Sequence, residues 1–459
     1  MCHKISWRLH GEMSSSTMID NGVAGNEYDL SKATAKPGDP SFRAAETVSV
    51  VEEDCASMAA GDEAEHFWSS PEGSTVVEAT VVSGLESMAR EEIKEKLSLY
   101  GQTSRGRVWF TVPNDRLEEI WKLQSVDNLF VVMHRVHHAK FVEDEERDLN
   151  YLYGLVANLP WKKNIEVWRR VRAPEQNLDR IFAFEGQPPG QGASGCDLEG
   201  LPRFRVTCNR TGPNHKFTSM QTAAKVGAAI NDAFRWKVDM KNFNLHIIVN
   251  ICSKKVDFLI GLTATSLHHR NLIDFGPTSL RSTIAYNMLR LCRIRPSEII
   301  CDPLCGGGSI PIEAVRNFQR NFVIAADHHE LAIPRCYKNF LHNKPVTNRA
   351  ELLTWDSTRT PLRSKSIDVL VTDLPFGKRL GRKGDNRIFY PALLREFARI
   401  SLAGKSRAIL LTQDKRSLIK ALQTTSRWWR QAYTIGCNVG GLEAAIFVCY
   451  RTSAEYYEI

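Results

Sequence analysis

The chain has no run of about 18 apolar residues, the length a helix needs to cross a bilayer, so no membrane span is expected. Met1 to His10 hold no continuous apolar stretch of the kind a secretory signal carries. Cysteines number 11, an odd and scattered set without paired Cys-x-x-Cys elements. That pattern argues against an internal zinc ribbon or a disulfide framework. It predicts no metal site and points to a reducing compartment, the cytoplasm, with a nuclear pool open. Cys301 and Cys305 read as small packing residues rather than metal ligands. Lys and Arg are missing between Ala44 and His66, where Glu46, Glu52, Glu53, Asp54, Asp62, Glu63 and Glu65 accumulate. Residues 1–70 are therefore expected to form a disordered acidic and polar tail, repelled by any polyanion. No internal repeat is present. No Lys-Ser or Lys-Thr follows the glycine-rich loop, which argues against a nucleoside triphosphate.

What is present is the composition of a soluble globular protein, 459 residues with 43% hydrophobic and 24% charged. The length allows two or three domains. A net charge of +8 suits an acidic polymer as partner without requiring one.

From Thr75 the texture becomes that of a folded domain. Val76–Val82, Arg107–Val112 and Leu129–His134 read as strands, and Gly84–Leu97 and Leu117–Leu123 as helices. This is a small α+β unit over residues 71–184. Residues 185–202 are rich in Gly, Pro and Gln, an insertion. Residues 203–265 resume with the basic strand Phe204–Arg210, a helix carrying Ala223, Val226, Ile230 and Phe234, and strands at Asn244–Asn250 and Val256–Leu262. A catalytic domain is expected over residues 275–459. It would open with an amphipathic helix, Thr278–Cys292, and close with an antiparallel pair joined at Gly440-Gly441.

Within that domain, Ile367–Thr372 is an apolar, β-branched run expected as a buried parallel strand. It delivers Asp373-Leu374-Pro375-Phe376 to the carboxyl end of the sheet, where open α/β sheets hold ligands. A carboxylate can accept hydrogen bonds from an exocyclic amine, and an aromatic ring can stack on a base. This grouping is the signature of methyltransferases acting on planar amino groups, with an ordinary surface turn as the bland alternative. Upstream, the strand Glu298–Cys301 leads into Asp302-Pro303-Leu304-Cys305-Gly306-Gly307-Gly308 and a helix from Ile310 to Gln319. Gly306 and Gly308 would let backbone approach a ligand at a helix N-terminus. Strand Phe322–Ala326 ends on Asp327, suited to two ribose hydroxyls. Strand Glu351–Thr354 leads to Asp356, placed for an adenine edge. Each acid alone could be a helix cap. Asp302, Pro303, Cys305, Gly306, Gly308, Asp327 and Asp356 together with Asp373 fit S-adenosyl-L-methionine. A dinucleotide would leave Asp373 through Phe376 without a role.

These stretches resemble the THUMP-domain RNA guanine-N2 methyltransferases. The likeness runs from about Thr75 to Arg451. It is most specific at Ser125–Phe130, Phe204–Arg210, Ser266–Asn271, Phe275–Leu291, Asp302–Pro311 and Val371–Arg379. The resemblance implies a class I methyltransferase doubly wound, Rossmann-like α/β sheet behind an N-terminal α+β ferredoxin-like/THUMP module. It also implies a tRNA substrate methylated at a guanosine N2 near position 6 or 7 of the acceptor stem, and a small zinc-ribbon activator subunit as heterodimer partner. Two residues depart from the pattern: Gly307, where a larger residue is usual and whose lack of side chain would loosen the loop, and Leu374, where broader families carry proline.

The implied chemistry gives Asp373, and a backbone carbonyl at Leu374 or Pro375, the task of accepting from the amine of a flipped base stacked on Phe376. Lys378, Arg379, Arg382, Lys383 and Arg387 would grip phosphates, unless they form an ordinary basic loop. Arg205 and Arg210 of the basic strand, and His269 and Arg270 at the domain junction, are further RNA candidates; capping or surface roles stand beside them. Methylation of another RNA such as a small nuclear RNA, of DNA adenine or of a protein amide remains an alternative. So does an RNA-binding protein that has lost catalysis.

Overall fold

The computed structural model describes residues 71–186, 200–213, 215–343, 347–376 and 383–457. The expected tail and most of the expected insertion, residues 187–199, lie outside them.

Strands β1 (Ser74–Thr80), β2 (Gly101–Ser104), β3 (Arg107–Pro113), β4 (Asn128–Val136), β5 (Arg203–Thr211), β6 (Lys237–Val238), β7 (Leu245–Cys252) and β8 (Lys255–Gly261) form one sheet in the order β2-β3-β1-β4-β8-β7-β5-β6. Residues 71–184, expected as the ferredoxin-like part and the first part of the THUMP module, and residues 203–265, expected as the remainder of the THUMP domain, thus share a sheet. Their seam is the antiparallel pairing of β4 with β8, Phe130 opposite Gly261. They also share a core. Val77 and Ala79 of β1 join Ile93, Leu97, Phe204 and Ile247 in one buried cluster. Helices Glu145–Ala157 and Trp161–Arg172, which the sequence reading did not assign, pack Leu152, Val156, Ile165 and Trp168 into the same cluster. The stretch expected as an α-helix at Leu117–Leu123 is a 3-10 helix, Asn114–Lys122.

The second sheet contains β9 (Ile299–Asp302), β10 (Phe322–Asp327), β11 (Ala350–Thr354), β12 (Val369–Asp373), β13 (Arg407–Thr412), β14 (Trp429–Val439) and β15 (Leu442–Arg451), ordered β11-β10-β9-β12-β13-β15-β14. Neighbours from β11 to β13 are parallel, and β15 runs antiparallel between β13 and β14. Strand order reverses between β9 and β12, which opens a crevice at their carboxyl ends. Ile284, Ile310 and Phe340 cover one face, while Tyr390, Phe397 and Leu418 cover the other.

The helix expected as amphipathic over Thr278–Cys292 begins at Ser282 and ends at Leu291, and all its residues but Arg290 are buried. Its second face is covered by the N-terminal module: Val82, Leu85 and Met88 belong to the catalytic core cluster. Arg290 pairs with Glu95 of helix Glu86–Leu97 at 2.7 Å. On the same side the Asn438 N–H donates to the Ser83 carbonyl (3.1 Å). A Cβ on Gly84 would fall 1.8 Å from the Gly436 carbonyl oxygen, so only glycine permits this approach.

Candidate active site

β9 ends on Asp302, and the turn that follows is folded back against β10. The Cys305 N–H donates to the Ala326 carbonyl at 2.8 Å. The Gly306 N–H donates to Asp327 Oδ2 at 2.9 Å, while Asp327 Oδ1 accepts from the His329 N–H at 2.8 Å. Gly306 has φ +52° and open space where a Cβ would stand. Gly308 has φ +93° and caps helix Ser309–Asn317; a Cβ there would lie 2.6 Å from Cys336 Sγ. Gly307, expected to loosen the loop, is instead fastened: Asn339 Nδ2 donates to its carbonyl at 2.8 Å and to that of Asp274 at 2.9 Å. The Trp355 indole donates to the Pro303 carbonyl (3.4 Å), tying the end of β11 to the same loop. Next to it Asp356 is exposed, with Oδ1 accepting from the N–H and hydroxyl of Thr358. The loop thus presents an open backbone cradle at a helix N-terminus, with Asp327 beside it and Asp356 at the next strand end. This arrangement fits the amino-acid and ribose ends of S-adenosylmethionine.

Across the switch point, β12 delivers Asp373. The residue is half-buried, yet its Oδ1 is cut off from solvent and has no hydrogen-bond partner. Burial pushes its carboxyl well above the usual carboxylate range, and the nearby Asp302 charge adds to the effect. Asp302 is itself raised to about 7 by burial, with Asp327 contributing repulsion. Leu374 is buried and its N–H donates to the Leu411 carbonyl at 2.9 Å. Phe376 is half-buried against the catalytic core cluster. The Pro375 carbonyl, one of two candidate acceptors for an amine, is already filled. Tyr390 Oη donates to it at 2.7 Å and Asn386 Nδ2 at 3.2 Å. That leaves Leu374 as the backbone acceptor. Nothing local in the sequence marks Tyr390 or Asn386, which reach back to the loop from the next helix, Lys383–Ile400.

The RNA candidates separate. Strand alternation puts Arg205 and Arg210 on opposite faces of β5. Arg205 lies over the Phe243 ring at 4.2 Å and contacts His246 at 3.3 Å. Burial, helped by the Arg205 charge, lowers His246 to about 4. With Arg107, Asn209, Asn250 and Thr265, Arg205 lines a cavity of about 280 Å³ on the outer sheet face. Arg210 contacts His215 at 3.5 Å. His269 is exposed, edge-on to Phe275 at 5.5 Å. Arg270 is committed within the chain: its guanidinium pairs with Glu313, a fully buried acid that also accepts from Asn271 (2.7 Å) and Asn317 (3.0 Å). Lys378, Arg379 and Arg382 lie outside the described residues. Lys383 opens its helix, but its side chain is likewise outside the description; Arg387 is exposed.

Two families match the sequence: the RMKL-like methyltransferase domain over residues 270–444 and the THUMP domain over 193–258. The tRNA (guanine(6)-N(2))-methyltransferase THUMP3 of Bos taurus is 36% identical over 449 residues, spanning 82% of this chain and 88% of the relative. The crystal structure of TrmN from Thermus thermophilus superposes with a TM-score of 0.65 at 23% identity, over 82% of this chain and 99% of that one. A putative methyltransferase complexed with SAH gives 0.61 at 16% identity, over 84% and 100%. Fold and cradle together define a class I, S-adenosylmethionine-dependent methyltransferase carrying a THUMP domain. The chain belongs to the THUMP-domain tRNA guanine-N2 methyltransferase family.

Proposed function

We propose that this enzyme methylates the N2 amine of a guanosine in the acceptor stem of tRNA, at position 6 in preference to 7. One observation carries the chemical part of this reading: a carboxylate oxygen of Asp373, buried and unpartnered, at a strand end beside Leu374 and Phe376. The position is favoured by the substrate that the Bos taurus relative is named for, with which the chain shares most of its length.

The N2 lone pair is delocalised into the guanine ring and is a poor nucleophile. Asp373 and the Leu374 carbonyl accept the two amine hydrogens, which turns the lone pair out of the ring plane and stabilises charge building on nitrogen. Phe376 stacks on the base, which must leave the stem to be reached. S-adenosylmethionine supplies the electrophilic methyl, held by Gly306, Gly308, Asp327 and Asp356, with Asp302, Pro303 and Cys305 shaping the loop. A carboxyl raised above its ordinary range is a competent acceptor for the proton the methylated nitrogen then loses. Arg205, Arg210, His269 and the basic run Lys378 to Lys383 supply phosphate and base contacts.

A small zinc-ribbon activator is part of the proposal. The outer edge of β11 carries no further strand among the described residues, which suits strand addition by such a partner. The cytoplasm is the proposed compartment: Cys292, Cys301 and Cys449 are buried free thiols, as a reducing environment leaves them. No helix among the described residues is long and apolar enough to cross a membrane.

The test is transfer of labelled methyl to a tRNA pool, with and without the zinc-ribbon subunit, followed by nucleoside and position analysis. Wild type should yield N2-methylguanosine at position 6. Asp373→Ala should lose about 10²–10³ in rate with tRNA and cofactor binding little changed. Wild-type turnover by Asp373→Ala would remove the mechanism, and a label on any other nucleoside would remove the substrate assignment.

A further inference from the structure

The Pro375 carbonyl sits one residue beyond the Leu374 carbonyl that the reaction needs, and the fold treats the two differently. No donor among the described residues reaches Leu374 oxygen. Pro375 oxygen receives two. Tyr390 Oη lies 2.7 Å from it and 2.9 Å from Thr412 Oγ1. A carbonyl can only accept, so the tyrosine proton points at Pro375. Thr412 therefore donates its own proton to Tyr390, and its oxygen in turn accepts from the Asp414 N–H at 2.9 Å. The result is a one-way chain of donors, Asp414 N–H to Thr412 to Tyr390 to Pro375. Asn386 supplies the second arm: its amide nitrogen gives one hydrogen to Pro375 oxygen (3.2 Å) and the other to Asp414 Oδ2 (3.1 Å). Asp414 is fixed by capping the next helix through the Ser417 N–H at 3.3 Å. Tyr390, Thr412, Asn386 and Asp414 are all buried.

A phenylalanine would fill the space of Tyr390 equally well. What the hydroxyl adds is an orientation for the peptide plane after Pro375, and with it the direction of the Leu374 carbonyl and the placement of Phe376. We propose that Tyr390 and Asn386 are positioning residues for methyl transfer. They clamp the Pro375 carbonyl so that Asp373 and the Leu374 carbonyl alone face the amine. This rests on the reading of Asp373 and Leu374 given under the proposed function. Burial keeps the Tyr390 phenol protonated, so the clamp stays closed across the working pH range.

The experiment is single-turnover methyl transfer to tRNA at saturating RNA and cofactor, scored as total label so that the position modified does not enter the result. Wild type, Tyr390→Phe and Thr412→Val are compared, with separate titrations of S-adenosylmethionine and tRNA and with melting curves. Tyr390→Phe should slow transfer about 10-fold to 100-fold, the scale of a misplaced reacting group, with both affinities unchanged. Thr412→Val, one donor further back, should slow it less. Transfer at the wild-type rate by Tyr390→Phe overturns the proposal. So does a loss that tracks weaker binding and a lower melting temperature in both variants, which is the behaviour of a purely structural bond. An error in the guanosine assigned would appear as label at another position, with the Tyr390→Phe deficit intact.

Discussion

Alanine at Gly306, set against alanine at Gly308, distinguishes space kept for a ligand from space the fold has filled. Both glycines are left-handed, with φ of +52° and +93°. A side chain in that region costs about 1–2 kcal/mol. At Gly306 that is the whole cost to the free protein, because no atom lies within 4 Å of the new methyl. A fall in melting temperature of about 2–4 °C per kcal/mol follows for domains of this size. At Gly308 the methyl would also meet Cys336 Sγ at 2.6 Å in a buried position, adding an overpacking term of about 1–3 kcal/mol. Gly308→Ala should therefore be the less stable variant by several degrees. Cofactor affinity should follow a different logic. The Gly306 methyl projects into the cradle beside Asp327, so S-adenosylmethionine should bind at least about 10-fold more weakly, a loss of roughly 1.4 kcal/mol. Calorimetric titration of cofactor, with melting curves in its presence and absence, reads both quantities. Wild-type affinity in Gly306→Ala would refute the assignment of the open space to the ligand.

Two further outcomes are expected. Transfer should accelerate as pH rises, because burial and the neighbouring Asp302 charge hold the Asp373 carboxyl above the usual carboxylate range, and it must ionise to stabilise charge building on the amine. Asp302→Asn removes a like charge, lowers the Asp373 pKa and should move the rising limb of the kcat profile to lower pH; an unmoved profile at saturating cofactor would exclude the coupling. Arg270→Ala should destabilise the fold by about 3 kcal/mol, since it strands the buried Glu313. An unchanged melting temperature with weakened tRNA binding would return Arg270 to the RNA surface.

The catalytic sheet was legible because its signals are local. β9, β10 and β12 are short apolar runs ending in acids, and a parallel strand buried on both faces leaves that mark in sequence; β13, Arg407–Thr412, has no such ending and was not read. The N-terminal sheet was half legible. β2 is the polar edge strand Gly101–Ser104, and helices Glu145–Ala157 and Trp161–Arg172 bury narrow faces among many charges, so periodicity gave little warning. The joining by β4 and β8 of the two stretches that flank the insertion is a pairing across more than 120 residues, as in Arg135 with Asp257. Composition does not report it. The same holds at the site. Asp373 and the glycine loop announce themselves, whereas Tyr390 and Asp414 act only through the partners that folding brings to them. Arg205 and Arg210 look like one basic strand until alternation divides them between two faces.

The burial of helix Ser282–Leu291 from both sides turns this protein into a calliper with a welded hinge. Val82, Leu85 and Met88 on one jaw and Ile284 and Met288 on the other belong to one hydrophobic interior. The THUMP-bearing sheet is thus not a cassette that can be cut away at Phe275 or exchanged for another binder without exposing the catalytic core. The span between the two sheets is set by side-chain packing. Retargeting the enzyme to a different nucleotide along a stem would call for redesign of that shared interior, and lengthening a connecting loop would not achieve it.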